Sequence, residues 1–111
     1  MDYTKEQKKA IAKLLLDILS IDENIDPREV GFLDKILDML TLSPQEHFEI
    51  THINTLRCLS IIKAMTIEQK SDFAVMMRDM IVADNHIDPK EAEAFYEICE
   101  YINIKGVGLS I

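Results

Sequence analysis

Along the first twenty residues, Ile11, Leu14, Leu15, Ile18 and Leu19 recur at spacings that place them on one face of an α-helix. Phe73, Met76, Met77, Met80 and Ile81 draw the same stripe later in the chain. Each stripe is followed by a second one, Val30, Leu33, Leu37 and Leu40 in the first half, and Ala92, Phe95, Cys99 and Ile102 in the second. The pattern predicts amphipathic helices that bury one face and leave the other to solvent.

The polar residues ahead of these stripes mark where the helices begin. Thr4 and Thr66 each carry glutamine three positions later, the spacing of a capping box. Asp26-Pro27 and Asp88-Pro89 combine a side chain that can cap free amides with a ring that presets φ for the first helical position. Ser43-Pro44-Gln45-Glu46 repeats the cap-then-proline signal and opens a short helix through about Ile50. Residues 53–64 predict one more helix. Its apolar positions, Ile53, Leu56, Leu59, Ile61 and Ile62, fit the period less cleanly and could belong to a more fully buried segment. The tail from Lys105 to Ile111 has no helical stripe and reads as extended, docked on the surface, or mobile.

The stripes and caps are two copies of one unit. At an offset of 62, eleven of the twenty-six residues in 4–29 are identical to those in 66–91, among them Asp17/Asp79, Asp22/Asp84, Asp26/Asp88, Pro27/Pro89 and Glu29/Glu91. The fold expected is therefore all-α, a compact bundle of six to seven helices from two pseudo-symmetric helix–turn–helix repeats. The units, about 4–41 and 66–103, are joined by helices in 43–64, and residues 1–111 form a single domain.

Composition narrows the function classes. Twelve basic against twenty acidic residues give a net charge of −8, which opposes nucleic acid and anionic membranes and favours cations or a basic protein surface. No apolar run reaches membrane-spanning length and no hydrophobic signal segment stands at the N-terminus, so a cytoplasmic protein is expected. Cys58 and Cys99 lie far apart in apolar stretches, as reduced core thiols do. Glycine-rich phosphate loops and local nucleophile–histidine–acid signatures are missing, and the chain is read as non-enzymatic.

Chemistry concentrates in the two turns, Asp22-Glu23-Asn24-Ile25-Asp26-Pro27-Arg28-Glu29 and Asp84-Asn85-His86-Ile87-Asp88-Pro89-Lys90-Glu91. Asp22, Asp26 and Glu29, with Asp84, Asp88 and Glu91, are the candidate metal ligands. Hard divalent cations want several oxygens at once, which makes calcium or magnesium the natural candidate. An EF-hand is excluded because proline stands where that loop needs glycine, and Leu33 or Phe95 where it needs a bidentate glutamate. A structural reading competes: Asp26 and Asp88 are good N-caps, and Glu29 and Glu91 suit the positive end of a helix dipole. Capping leaves Asp22 and Asp84 unexplained, whereas a metal loop needs more ligands than one turn supplies.

Other polar residues read more simply. Asp17 and Asp79 should face solvent or bond a neighbouring helix. His47 and His52 are spaced by five rather than the four of a helical zinc pair and read as surface residues, and His86 reads as counter-charge in its acidic turn. Methionines on the apolar stripes read as core filling.

The two turns, of the form Ala/Ile-Asp-x-x-Ile-Asp-x-x-Glu and 62 residues apart in an acidic helical chain, resemble the TerB family of tellurite-resistance proteins over nearly the whole length. Related domains occur in a membrane-anchored DnaJ-like co-chaperone and in bacterial stress-response proteins. The resemblance implies about seven helices, an acidic surface drawn from both turns, divalent-cation or protein binding, and no catalysis. The family commonly has glycine directly after the first aspartate, where this chain has Glu23 and Asn85.

Overall fold

Every predicted cap in the described chain starts a helix. The structure is a computed structural model and describes residues 2–21, 26–83 and 86–109. Its helices are α1 (Lys5–Leu19), α2 (Pro27–Met39), α3 (Pro44–Ile50), α4 (Thr55–Lys63), α5 (Ile67–Ile81) and α6 (Pro89–Tyr101). No strand occurs among the described residues. The fold is the all-α bundle expected, with six helices among the described residues, and α5 and α6 begin and end 62 residues after α1 and α2.

Hydrogen bonds at the helix starts explain these boundaries. The Thr4 hydroxyl accepts from the Gln7 amide at 3.1 Å, while the Gln7 side chain accepts from the Thr4 amide at 2.9 Å. Thr66 and Gln69 form the same box at 3.1 and 3.0 Å. Ser43 and Glu46 form a third, which holds the Glu46 carboxyl below its usual range, first through the Ser43 amide and then through its hydroxyl. Each box satisfies two amides that a helix start would otherwise leave open.

The helix ends match as well. Thr41 (φ 54°) and Asn103 (φ 63°) are the two non-glycine residues with left-handed backbone among those described. The next amide bonds back into the helix in both cases, Leu42 to the Leu37 carbonyl at 3.4 Å and Ile104 to the Cys99 carbonyl at 2.9 Å. Leu42 and Ile104 are themselves buried, which completes a Schellman ending with its apolar contact.

Around these termini the helices pack on α1, which touches all five others and most extensively α4. Ile11, Leu14, Leu15 and Ile18 from α1 and Phe73, Met77, Met80 and Ile81 from α5 are at most 1% exposed and form the centre of the core. Phe95, Ile102, Cys58 and Ile62 close it from α6 and α4. The N-terminal ends of α1 and α5 meet. There the Gln69 side-chain amide lies 3.5 Å from the Gln7 side-chain oxygen and donates to the Asp2 carbonyl at 2.8 Å, and Tyr3 donates to Asp72. The radius of gyration is 12.9 Å, close to the roughly 13 Å of a compact chain of about 100 residues.

Several side chains depart from the expected pattern. Val30, on the apolar stripe by its spacing, is 37% exposed, because the stripe that packs runs through Leu33, Ile36, Leu37 and Leu40. The 53–64 segment is not fully buried: α4 turns Cys58 and Ile62 inward and leaves Leu56 74% exposed, which accounts for its blurred period. Met76, Met77 and Met80 fill the core as expected and Met65 is buried as well, whereas Met39 is exposed. The tail is docked as far as Leu109, whose amide donates to the Tyr96 hydroxyl at 3.2 Å. None of the described helices is long and apolar enough to cross a membrane.

Candidate functional site

Of the six carboxylates singled out in the turns, Asp22 and Asp84 lie outside the described residues, as do Glu23, Asn24, Ile25 and Asn85. The other four occupy two matched positions. Asp26 is the N-cap of α2, with Oδ1 accepting from the Arg28 amide at 2.7 Å. Asp88 is the N-cap of α6, with Oδ1 accepting from the amides of Lys90 at 2.8 Å and Glu91 at 3.1 Å. Glu29 and Glu91 follow in the first turn of each helix and are buried, at 5% and 1% exposure.

This arrangement engages one oxygen of each aspartate in capping and withdraws both glutamates from solvent. Among the described residues, no three acidic, histidine or cysteine side chains are grouped closely enough to hold a metal ion. Arg28, Gly31, Phe32 and Lys35 of α2 line a groove of about 560 Å³ with Asp79, Val82 and Ala83 at the end of α5, so the start of α2 lies beside the residue that precedes Asp84.

The remaining candidates sort by their partners. Asp17 accepts from Lys13 at 2.6 Å and from the Thr55 hydroxyl of α4 at 2.8 Å, the interhelical bond expected of it. Asp79 pairs with its neighbour Arg78 at 3.0 Å. His52 is exposed with its ring against Phe48 at 5.0 Å, while His47 is half-buried rather than on the surface as expected. Cys58 and Cys99 are buried free thiols, and burial pushes Cys99 up to about 11.

A second acidic feature, which the turn motif hid, runs along the outside of α6. Glu93, Tyr96, Glu97, Glu100 and Tyr101 are all exposed and recur at helical spacing. Among the described residues none of the three glutamates takes part in an ion pair, and the last turn of α6 has no basic residue to complement its dipole. Like charges at these spacings repel by a few tenths of a kcal/mol per pair, roughly 0.2–0.5. Tyr96 and Tyr101 are 52% and 45% exposed, and the Lys63 ammonium lies 4.4 Å from the centre of the Tyr101 ring. The Tyr101 ring thus already engages one cation of this chain. The signal was present in the sequence as Glu93-x-x-Tyr96-Glu97-x-x-Glu100-Tyr101, on the polar side of a stripe read only for its apolar side.

Compared with protein families, curated proteins and solved structures, the chain matches none.

Proposed function

We propose that this chain is a non-enzymatic, TerB-like interaction module whose acidic face takes up a basic segment of a protein partner, in the stress-response setting that the resemblance of its turns implies. The observation that carries the reading is the outer face of α6. Three exposed glutamates with no basic partner among the described residues alternate there with two exposed tyrosines. Such a face gains from a lysine- or arginine-rich segment twice, by neutralising charges that repel one another and by stacking cations on aromatic rings. The overall charge of −8 steers a basic partner towards the domain.

A second reading places a divalent cation, calcium or magnesium, at the paired turns. It is favoured by the groove that joins Arg28 at the start of α2 to Ala83 at the end of α5. In that reading Asp22, Asp26, Glu29, Asp84, Asp88 and Glu91 supply the oxygens. A third, in which the turns only cap helices, draws on the cap bonds of Asp26 and Asp88.

Calorimetry separates these readings. Titration of the chain with a lysine- and arginine-rich peptide is expected to give saturable, salt-sensitive binding that Glu97→Lys weakens about tenfold or more. Absence of peptide binding at low salt, or binding indifferent to Glu97→Lys, contradicts the α6 reading. Titration with calcium and magnesium tests the turns: binding lost on Asp84→Asn supports the cation site, and none tighter than about millimolar ends it.

A further inference from the structure

Beside the N-terminal half of α1 lies a cavity that neither the turns nor the α6 face uses. It measures about 380 Å³, within the range of roughly 300–1,000 Å³ usual for small-molecule sites. Its apolar lining is Ile53 in the α3–α4 turn and Ile61 of α4, both half-buried, backed by the buried Ala10 of α1 and Cys58 of α4. Its mouth carries both signs of charge. Arg57 reaches across from α4 to Glu6 on α1, Nη2 to Oε1 at 3.3 Å, and Lys9 is paired with Glu49 of α3 at 2.9 Å.

The two pairs differ in how firmly they are held. Lys9 is mostly covered and is kept above its ordinary pKa, chiefly by its hydrogen bond to Glu49. The side chains of Arg57 and Glu6 are 68% and 71% exposed, and exposed pairs of this kind contribute little, so both ends can turn to a ligand at small loss. Charge then selects the class. Glu6 and Glu49, within a chain of net charge −8, oppose a ligand that is only an anion. Lys9 and Arg57 at the same mouth oppose one that is only a cation. A zwitterion meets neither penalty.

We propose that this cavity binds an apolar α-amino acid, its carboxylate on Arg57, its ammonium on Glu6, and its side chain on the lining of Ile53 and Ile61, backed by Ala10 and Cys58. The Glu6–Arg57 pair opens to admit the ligand, and each partner exchanges one opposite charge for another. None of these residues lies on α6 or in the acidic turns, so the site stands or falls independently of partner binding.

The test is a titration of the isotope-labelled full chain with L-phenylalanine, followed by amide NMR shifts. Two comparators lack one charge each, 3-phenylpropionate without the ammonium and phenethylamine without the carboxylate. The expected result is saturable shifts centred on Ala10, Ile53, Cys58 and Ile61. Either comparator should bind about tenfold more weakly or worse, as for loss of one charge-assisted hydrogen bond. Glu6→Gln and Arg57→Gln should each weaken L-phenylalanine by a similar factor. Both positions are exposed, so folding is retained. The exchanged pair Glu6→Arg with Arg57→Glu should recover most of the binding. A comparator that matches L-phenylalanine, shifts that fail to saturate or lie elsewhere, or single variants without effect would each overturn the proposal.

Discussion

Helices α2 and α6 lie 62 residues apart in the sequence and differ in what they show to solvent. Their inner positions correspond, Leu33 with Phe95, Ile36 with Ile98, Leu37 with Cys99 and Leu40 with Ile102, and in each pair both residues pack into or against the core. Their outer positions have diverged. Where α6 presents Glu93, Tyr96, Glu97, Glu100 and Tyr101, α2 has Gly31, Asp34, Lys35, Asp38 and Met39, a mixed and weaker charge pattern. Burial and capping constrain the inner face and the ends of both helices in the same way. The outer face carries no such constraint, so an acidic, aromatic stripe found on one copy alone calls for a reason other than folding.

The comparison breaks most readily in the core. Phe95 is fully buried and Leu33 nearly so, and truncation to alanine should cost about 3–5 kcal/mol for Phe95→Ala and about 2–5 kcal/mol for Leu33→Ala in chemical denaturation. A loss under about 1 kcal/mol at either would show that its helix does not share the common core. The helix ends give a smaller, signed contrast. Thr41 is β-branched in left-handed backbone, whereas Asn103 at the matching position tolerates it. Thr41→Asn should therefore stabilise by about 1 kcal/mol and Asn103→Thr destabilise by a similar amount, read as opposite shifts of the denaturation midpoint. If both shifts have the same sign, the left-handed ending is not shared.

The smallest effect discriminates the outer faces. Glu97→Lys places a cation between Glu93 and Glu100 near the negative end of α6 and should raise stability by a few tenths of a kcal/mol, about 0.3–1. Lys35→Glu on α2 replaces an attraction to Asp38, three residues on, by a repulsion and should lower it by a comparable amount. A stabilising change that weakens partner binding is the mark of a surface kept for function. Equal and opposite stability shifts with no effect on binding would reduce the α6 stripe to ordinary surface.

Much of the fold was legible because it depends on local rules. Thr4 with Gln7, Thr66 with Gln69, and Asp26 and Asp88 before prolines announce helix starts whose hydrogen bonds span only two or three residues. Spacing alone could not place Val30 or Leu56, since exposure there depends on which neighbouring helix arrives to cover them. The left-handed endings at Thr41 and Asn103 were hidden because threonine is a poor signal for that backbone. The acidic turns stand out in the sequence because they repeat. Repetition marks what both copies share, and Asp26 and Asp88 share capping. The α6 stripe departs from the repeat, so repetition does not mark it. The α1–α4 cavity depends on chain segments more than forty residues apart, such as Glu6 and Arg57, and no local motif encodes it.

The most direct test of the account is calorimetric titration of the wild-type chain and its Glu97→Lys variant with the same lysine- and arginine-rich peptide at low and at physiological salt. The account predicts binding to wild type that weakens with salt and falls about tenfold or more in a variant at least as stable as the parent. Equal binding by the two proteins would contradict it.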